Sequence, residues 1–215
     1  MDSAVCASIA SQTYKLAFIH FQYGQKSSKK ELECFEKLVN FFKPEKTLIV
    51  ELPFLKKIGG SSLTVEDMEI PEKDDAQIPS TYVPFRNGIF LSIACAWAEV
   101  LGAEKVFIGA NQIDFSGYPD CREEFLKTFN DAVNKGTKPE THIKIEAPLL
   151  NLTKKEIVEL GIKLQTPFHL TWSCYREGEK ACGRCSSCHL RIKAFKEAGV
   201  KDPIPYEKNP FEESE

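Results

Sequence analysis

Four short apolar runs separated by helical patterns constrain this chain more than anything else in it. Leu16–Phe21, Thr47–Leu52, Lys105–Gly109 and His142–Glu146 each read as a strand. The first has no polar alternation, which predicts burial on both faces. Between the first two lies Ser28-Lys-Lys-Glu31, a capping box that opens a helix running to about Phe42. Leu32, Phe35, Leu38, Val39 and Phe42 fall on one face of it, and Pro44 ends it. Strands alternating with helices need crossover connections. The expected fold is therefore α/β, a doubly wound parallel sheet covered on both faces. Ligands in such folds bind beyond the C-terminal ends of the strands. Asp2 and Ser3, the turn Tyr23–Gln25, Arg86 and Asn87, and the loop from Asn111 to Cys121 all belong at that edge.

The remaining elements follow from local signals. Met1–Ala10 reads as a helix capped by Asp2 or Ser3, with no strand ahead of it. Residues 56–80 are a long polar loop, expected to be an active-site flap, with a disordered insertion as the alternative. Pro84 suits the first turn of a helix that Gly102 closes and that is apolar nearly all round, so deep packing is expected. A helix runs from about Arg122 to Asn134. Thr153-Lys-Lys-Glu156 is a second capping box, opening a helix to Leu160, and a last helix spans about Leu190 to Ala198. The residues from Pro203 are polar and acidic, and fraying is expected there.

Cys174, Cys182, Cys185 and Cys188 leave seven, two and two residues between successive thiols. Two-residue spacers aim neighbouring sulfurs at one point, and Gly183 relaxes the backbone inside the first of them. The expected reading is a structural Zn2+ site whose four thiolates leave no open position for chemistry. A ferredoxin-type cluster is disfavoured because the fourth cysteine lies upstream and no Pro follows Cys188. Disulfides are the other alternative. The remaining cysteines do not support them: Cys6, Cys34 and Cys95 sit in apolar helical surroundings. The organisation expected is an α/β domain over 1–170, a zinc module over 171–202 and a polar tail over 203–215.

Composition narrows the classes. A net charge of −3 argues against a globally basic nucleic-acid binder. No apolar run reaches the ~20 residues of a membrane span, and Asp2 stands where a signal peptide has a basic region. A cytoplasmic zinc protein is expected. Walker A, G-x-G-x-x-G, G-x-S-x-G and H-E-x-x-H motifs are all absent.

Longer stretches carry a resemblance. They are Met1-Asp2-Ser3-Ala4, Phe21-Gln-Tyr-Gly-Gln25, Gly59-Gly-Ser-Ser-Leu-Thr64, Tyr82-Val-Pro-Phe-Arg-Asn87 and Gly117-Tyr-Pro-Asp-Cys121. Leu152-Thr-Lys154, Leu170-Thr-Trp-Ser-Cys174 and Ala181-Cys-Gly-Arg-Cys185 continue them in order. In this set the chain resembles the 7-cyano-7-deazaguanine synthases, a branch of the PP-loop (N-type) ATP pyrophosphatases. The resemblance implies an adenine-nucleotide α-hydrolase-like fold and an ATP-dependent ligase. Such a ligase turns 7-carboxy-7-deazaguanine and ammonia into 7-cyano-7-deazaguanine through adenylated carboxylate and amide intermediates, for queuosine-type tRNA modification. It also implies a homodimer acting on small molecules, without direct nucleic-acid or membrane contact.

Carried onto this chain, the resemblance assigns Met1, Asp2, Ser3, Ala4, Tyr23 and Gln25 to ATP, with Mg2+ offsetting the phosphate charge. Arg86 and Lys154 become catalytic, and Asn87, Asp114, Tyr118 and Asp120 read the deazaguanine, with Mg2+ binding as the alternative for Asp114, Tyr118 and Asp120. The family's nucleotide loop is Ser-Gly-Gly-x-Asp-Ser, of which only Met1-Asp2-Ser3 matches. The expectation is that the chain as written starts at an internal Met and lacks a central strand, leaving a gap in the core, unpaired edges on two neighbours and impaired catalysis. Two alternatives stay open. One is a tRNA-thiolation-type PP-loop enzyme, for which Cys121 is the only loop cysteine. The other is a catalytically impaired zinc-bearing RNA binder, because Cys174–Lys201 holds seven basic and three acidic residues.

Overall fold

The structure, a computed structural model, describes residues 1–72, 77–113 and 117–208. Four parallel strands stand in two pairs. β1 (Ala17–Gln22) pairs with β2 (Lys46–Glu51), Ala17 opposite Lys46 and Gln22 opposite Glu51. β3 (Lys105–Phe107) pairs with β4 (Lys144–Glu146), Lys105 opposite Lys144. Among the described residues no strand joins the two pairs. Between them lies a cavity of about 920 Å³, lined by residues of both β1 and β3.

That cavity explains a departure from the sequence expectation. β1 has no fully buried residue, although its composition is that of an interior strand. One edge of it is covered by β2 and the other opens on the cavity.

The helices are α1 (Asp2–Ala10), α2 (Ser28–Phe42), α3 (Phe54–Ile58), α4 (Arg86–Leu101), α5 (Glu123–Gly136), α6 (Lys154–Lys163) and α7 (Ser186–Glu197). Met1, rather than Asp2 or Ser3, holds the N-cap position of α1. α4 begins two residues after Pro84, because Phe85 turns into the left-handed region at φ +54°. Its apolar girth serves two surfaces. Leu91, Cys95 and Ala98 are buried, whereas Ala94 and Trp97 face the cavity between the half-sheets.

The segment expected as a flap is ordered over its described parts. It contains α3, and Ser61, Ser62 and Thr64 are buried with no more than 1% of their surface exposed. Leu63 and Ile70 join the core around Leu55. Each such fully buried aliphatic contributes about 1.5–3 kcal/mol, more than a loop free to open could forgo.

The cysteine module has no core of its own. Its four thiols pack in one cluster with Tyr23, Leu52, Leu55, Val83 and Ile192. Nor is the tail frayed as far as Lys208. The N–H of Ala181 donates to the carbonyl of Pro205 at 2.9 Å, and the N–H of Glu207 donates to that of Ala181 at 2.8 Å. Ile204 is buried. Beneath them Arg191, 1% exposed, donates a bidentate pair to Asp202 at 2.7 and 3.0 Å. The same guanidinium reaches Thr171 Oγ1 at 2.8 Å, Ser173 Oγ at 3.3 Å and the Phe168 carbonyl at 3.2 Å.

Candidate functional site

Two polar clusters lie beyond the strand ends. The first joins the starts of α1 and α6. Thr153 caps α6: its Oγ1 accepts from the N–H of Glu156 at 3.3 Å, and Glu156 Oε2 accepts from the N–H of Thr153 at 2.7 Å. This capping box fixes Lys154 on the first helical turn. Lys154 Nζ donates to Asp2 Oδ2 at 2.7 Å, with the two side chains 11% and 26% exposed. Asp2 Oδ1 is buried and has no partner. At the start of α1 the N–H groups of Asp2 and Ser3 precede any intrahelical acceptor. A free helix N-terminus, a lysine and an unsatisfied carboxylate oxygen together suit a polyphosphate with a counter-cation.

Ala4 contributes less than the sequence reading gave it, because its side chain is buried and its N–H donates to Met1 O at 3.0 Å. Asn111, which the sequence puts at the strand-end edge without a particular role, has a structural one. Its amide donates to Leu149 O at 3.1 Å and Leu152 O at 2.5 Å, tying the end of β3 to the turn that feeds α6. Such a partner lies some forty residues away in sequence, and no local signal marks it.

The second cluster surrounds the start of α4. Arg86 Nη1 donates to Tyr23 Oη at 2.9 Å, and its guanidinium lies 5.5 Å from the Tyr23 ring and 5.8 Å from the Phe90 ring. Burial works against its charge. Tyr23, Tyr118 and Asp120 around it outweigh burial and keep the group cationic. Among the described residues no carboxylate forms an ion pair with Arg86. A buried guanidinium backed by aromatic faces suits an incoming anion. Phe85 beside it holds its strained backbone because its N–H donates to Tyr82 Oη at 2.9 Å. A Cβ on Gly88 would stand 2.4 Å from the Phe85 ring, so any larger residue there would move that ring.

Several residues assigned to ligands are engaged internally. Gln25 is buried. It accepts from the N–H of Tyr23 at 2.9 Å and donates to Phe21 O at 3.2 Å and Glu31 at 2.9 Å. Asp120, 3% exposed, accepts from the N–H of Asn87 at 2.8 Å and so caps α4. Burial raises its carboxyl above the usual range, against the pull of Asn87 and Arg86. The Asn87 amide donates to Cys121 Sγ at 3.1 Å and to the Asp120 carbonyl at 3.5 Å. Asp120 and Asn87 therefore fasten the 117–121 loop to α4. Tyr118 shares a 2.7 Å hydrogen bond with Thr81. Asp114 lies outside the described residues.

Burial also pushes the Cys121 thiol up to about 11. A buried thiol with that pKa is not a nucleophile at neutral pH, so the residue required by the thiolation alternative is unsuited to it. The RNA-binding alternative loses Arg191, which is inaccessible and neutralised by Asp202.

The third cluster is metal-type. The sulfurs of Cys174, Cys182, Cys185 and Cys188 all lie within 4.8 Å of one another, and all four residues are buried. Backbone N–H groups face these sulfurs: Arg176 and Cys182 towards Cys174 Sγ at 3.4 and 3.5 Å, and Cys185 towards Cys182 Sγ at 3.4 Å. Such contacts favour the thiolate form. Thus the fit to a tetrahedral ion rests on both the donor set and its spacing. None of the eight cysteines is in a disulfide, and no described helix is long and apolar enough to cross a membrane.

Parallel strands with helix crossovers, a phosphate-type helix start and a terminal four-cysteine cluster define a PP-loop, Rossmann-like α/β protein with a metal-binding module. The family can be given more closely. Residues 1–199 match the family model described as "Queuosine biosynthesis protein QueC", and the chain belongs to that family. It is 49% identical over 208 residues to the 7-cyano-7-deazaguanine synthase of Nautilia profundicola, covering 96% of this chain and 94% of that protein. The protein of the same name from Chlorobium chlorochromatii is 49% identical over 215 residues, covering 98% and 93%. That of Sulfurovum sp. is 49% identical over 210 residues, covering 97% and 95%.

Proposed function

We propose that this chain is an ATP-dependent ligase that makes 7-cyano-7-deazaguanine from 7-carboxy-7-deazaguanine and ammonia. The observation that carries the reading is the Asp2–Lys154 pair at two helix starts, in a chain nearly half identical to synthases of that name. The substrate carboxylate oxygen attacks the α-phosphorus of ATP and pyrophosphate leaves. Ammonia then displaces AMP and loses a proton, giving the amide. The amide oxygen attacks a second ATP, pyrophosphate leaves again, and loss of AMP and a proton yields the nitrile.

Roles follow from charge and access. Asp2 and Ser3 N–H groups face the phosphates, and Lys154 leaves Asp2 to meet the negative charge that grows on the α-phosphate. Asp2 Oδ1 would hold Mg2+, which offsets phosphate charge when bound. Arg86 steers the substrate carboxylate, and Tyr118 borders the deazaguanine. The four thiolates hold Zn2+ in a structural role, and their reduced state suits a cytoplasmic, thiol-rich compartment.

The test supplies ATP, Mg2+, ammonium and 7-carboxy-7-deazaguanine to the zinc-loaded chain. Two AMP released per nitrile formed is the expected stoichiometry. Folded, metal-loaded protein that releases no AMP above a substrate-free blank would sink the assignment.

A further inference from the structure

A second cavity, of about 570 Å³, lies between the 66–72 segment and the metal module. Three cations line it. Lys26 follows the turn at the end of β1, and Arg176 and Arg184 stand beside the cysteines. None of them belongs to the Asp2–Lys154 cluster or to the Arg86 cluster.

Arg176 and Arg191 share one module and meet opposite surroundings. Arg191 donates five hydrogen bonds to protein acceptors. Arg176 Nε is buried with no partner, and among the described residues its guanidinium forms no ion pair. The backbone of Arg176 is nonetheless fixed. Its N–H faces Cys174 Sγ at 3.4 Å, and its carbonyl accepts from Trp172 Nε1 at 3.1 Å. The carboxylate next along the chain is already engaged, since Glu177 accepts from the N–H of Lys29 at 3.0 Å. A buried donor left without an acceptor is costly, and a ligand that supplies one removes the cost.

The other two cations are held but not neutralised. Lys26 Nζ donates to the carbonyls of Glu66 at 3.3 Å and Met68 at 2.5 Å, neither of which carries a charge. Arg184 stands between Cys182 and Cys185, and the Glu72 carboxylate lies 3.9 Å from its Nε, beyond hydrogen-bond reach. Of the carboxylates on the wall, Glu66 is bound at 2.5 Å by Lys56, which does not line the cavity. Glu69 and Glu72 remain.

Forked guanidiniums match phosphate oxygens in pairs, and an ammonium adds a third point of charge. The volume is that of a small-molecule site rather than of a lone ion. Ionised Glu69 and Glu72 only accept hydrogen bonds, so they suit hydroxyl groups on the rest of the ligand.

We propose that this cavity is a binding site for a sugar phosphate. Its phosphate lies among Arg176, Arg184 and Lys26, and its hydroxyls meet Glu69 and Glu72.

The test titrates ribose 5-phosphate, ribose and inorganic phosphate into the full, metal-loaded chain. Binding is read by calorimetry and by the Nε–H resonance of Arg176, identified by its loss in Arg176→Gln. Ribose 5-phosphate is expected to bind with a Kd of about 1 mM or tighter and to shift that resonance. Ribose should do neither, and inorganic phosphate should bind more weakly. Arg176→Gln and Arg184→Gln should each weaken binding of ribose 5-phosphate about tenfold or more at an unchanged melting temperature. The Arg184 side chain is half exposed, so its variant carries the test should Arg176→Gln fail to fold. Lys154→Ala should leave this binding as it is.

Folded protein that takes up no ribose 5-phosphate at about 10 mM would overturn the proposal. So would inorganic phosphate binding as tightly as the ester, which would leave a bare anion site. Binding lost in Lys154→Ala and kept in Arg184→Gln would overturn it too, since the phosphate would then sit at the starts of α1 and α6.

Discussion

The cysteine module and the space between the half-sheets sit at opposite extremes within one fold. In the module four thiols converge, and Arg191 finds five hydrogen bonds among four partners. Backbone from the tail closes over it. The space between β1 and β3 has a mixed lining that includes Ala94, Trp97, Glu31 and Lys105; among the described residues no strand pairs with the facing edges, and His20 has an unsatisfied nitrogen. Burial alone therefore does not make a core in this protein. In the module the buried Arg191 guanidinium is answered at each nitrogen, whereas Arg176 Nε is buried without a partner.

The sharpest way to break this contrast is to remove the metal-type ring. Replacing Cys182 or Cys185 by Ser, or stripping metal with a chelator, should unfold the module and cost several kcal/mol, since binding of a structural ion to four thiolates is folding energy. A thermal melt with and without chelator reads it; an unmoved midpoint would show that the thiols need no ion.

Next is Arg191→Ala, which leaves Asp202 buried and uncompensated. A loss of about 3–5 kcal/mol in denaturant unfolding is expected, and Arg191→Met with Asp202→Asn should recover part of it.

The Lys154→Ala change belongs to neither region and tests the site itself. AMP release should fall by about 10²-fold or more, with little change in melting temperature, and Lys154→Arg should restore part of it. A variant that melts early and keeps its rate would make Lys154 a structural residue only.

The smallest effect concerns His20, on the wall of the cavity between the two half-sheets. Burial holds its pKa below the ordinary imidazole value of 6.5, against the pull of Glu31. The folded chain thus resists a proton that the unfolded chain accepts. His20's contribution is intact above about pH 6.5 and is lost as pH falls from there towards the lowered folded value. His20→Phe, which keeps the stacking on Phe35, should flatten stability against pH in that window.

Local signals carried much of this structure. The Thr153 capping box, the cysteine spacing and the apolar strand runs are all written within a few residues, and each appears in the fold. The Ser28 signal gave the helix but not the cap, since Ser27 and Gln25 hold Glu31 instead. What local signals missed depends on distant partners. Asp120 and Asn87 have the chemistry of ligand contacts. The fold gives their polar groups to each other and to Cys121. Gln25 is likewise engaged within its own turn. Phe85 reads as an ordinary helix residue until Gly88 and Tyr82 show why it turns the other way. The half-exposed state of β1 follows from its edge on the cavity, which no property of β1 itself reveals.

The junction between the tail and the metal-type ring has a mechanical consequence. The Lys208 carbonyl occupies the place where any side chain at residue 183 would begin, 1.5 Å from a Cβ there. Pro205 and Glu207 grip Ala181, one residue before a ligand. A pull applied beyond Lys208 is therefore delivered first to this two-bond grip, then to the Cys182 loop, and only afterwards to the strands. The cysteine ring acts as strain relief for the sheet, a stop that the chain's own tail leans on.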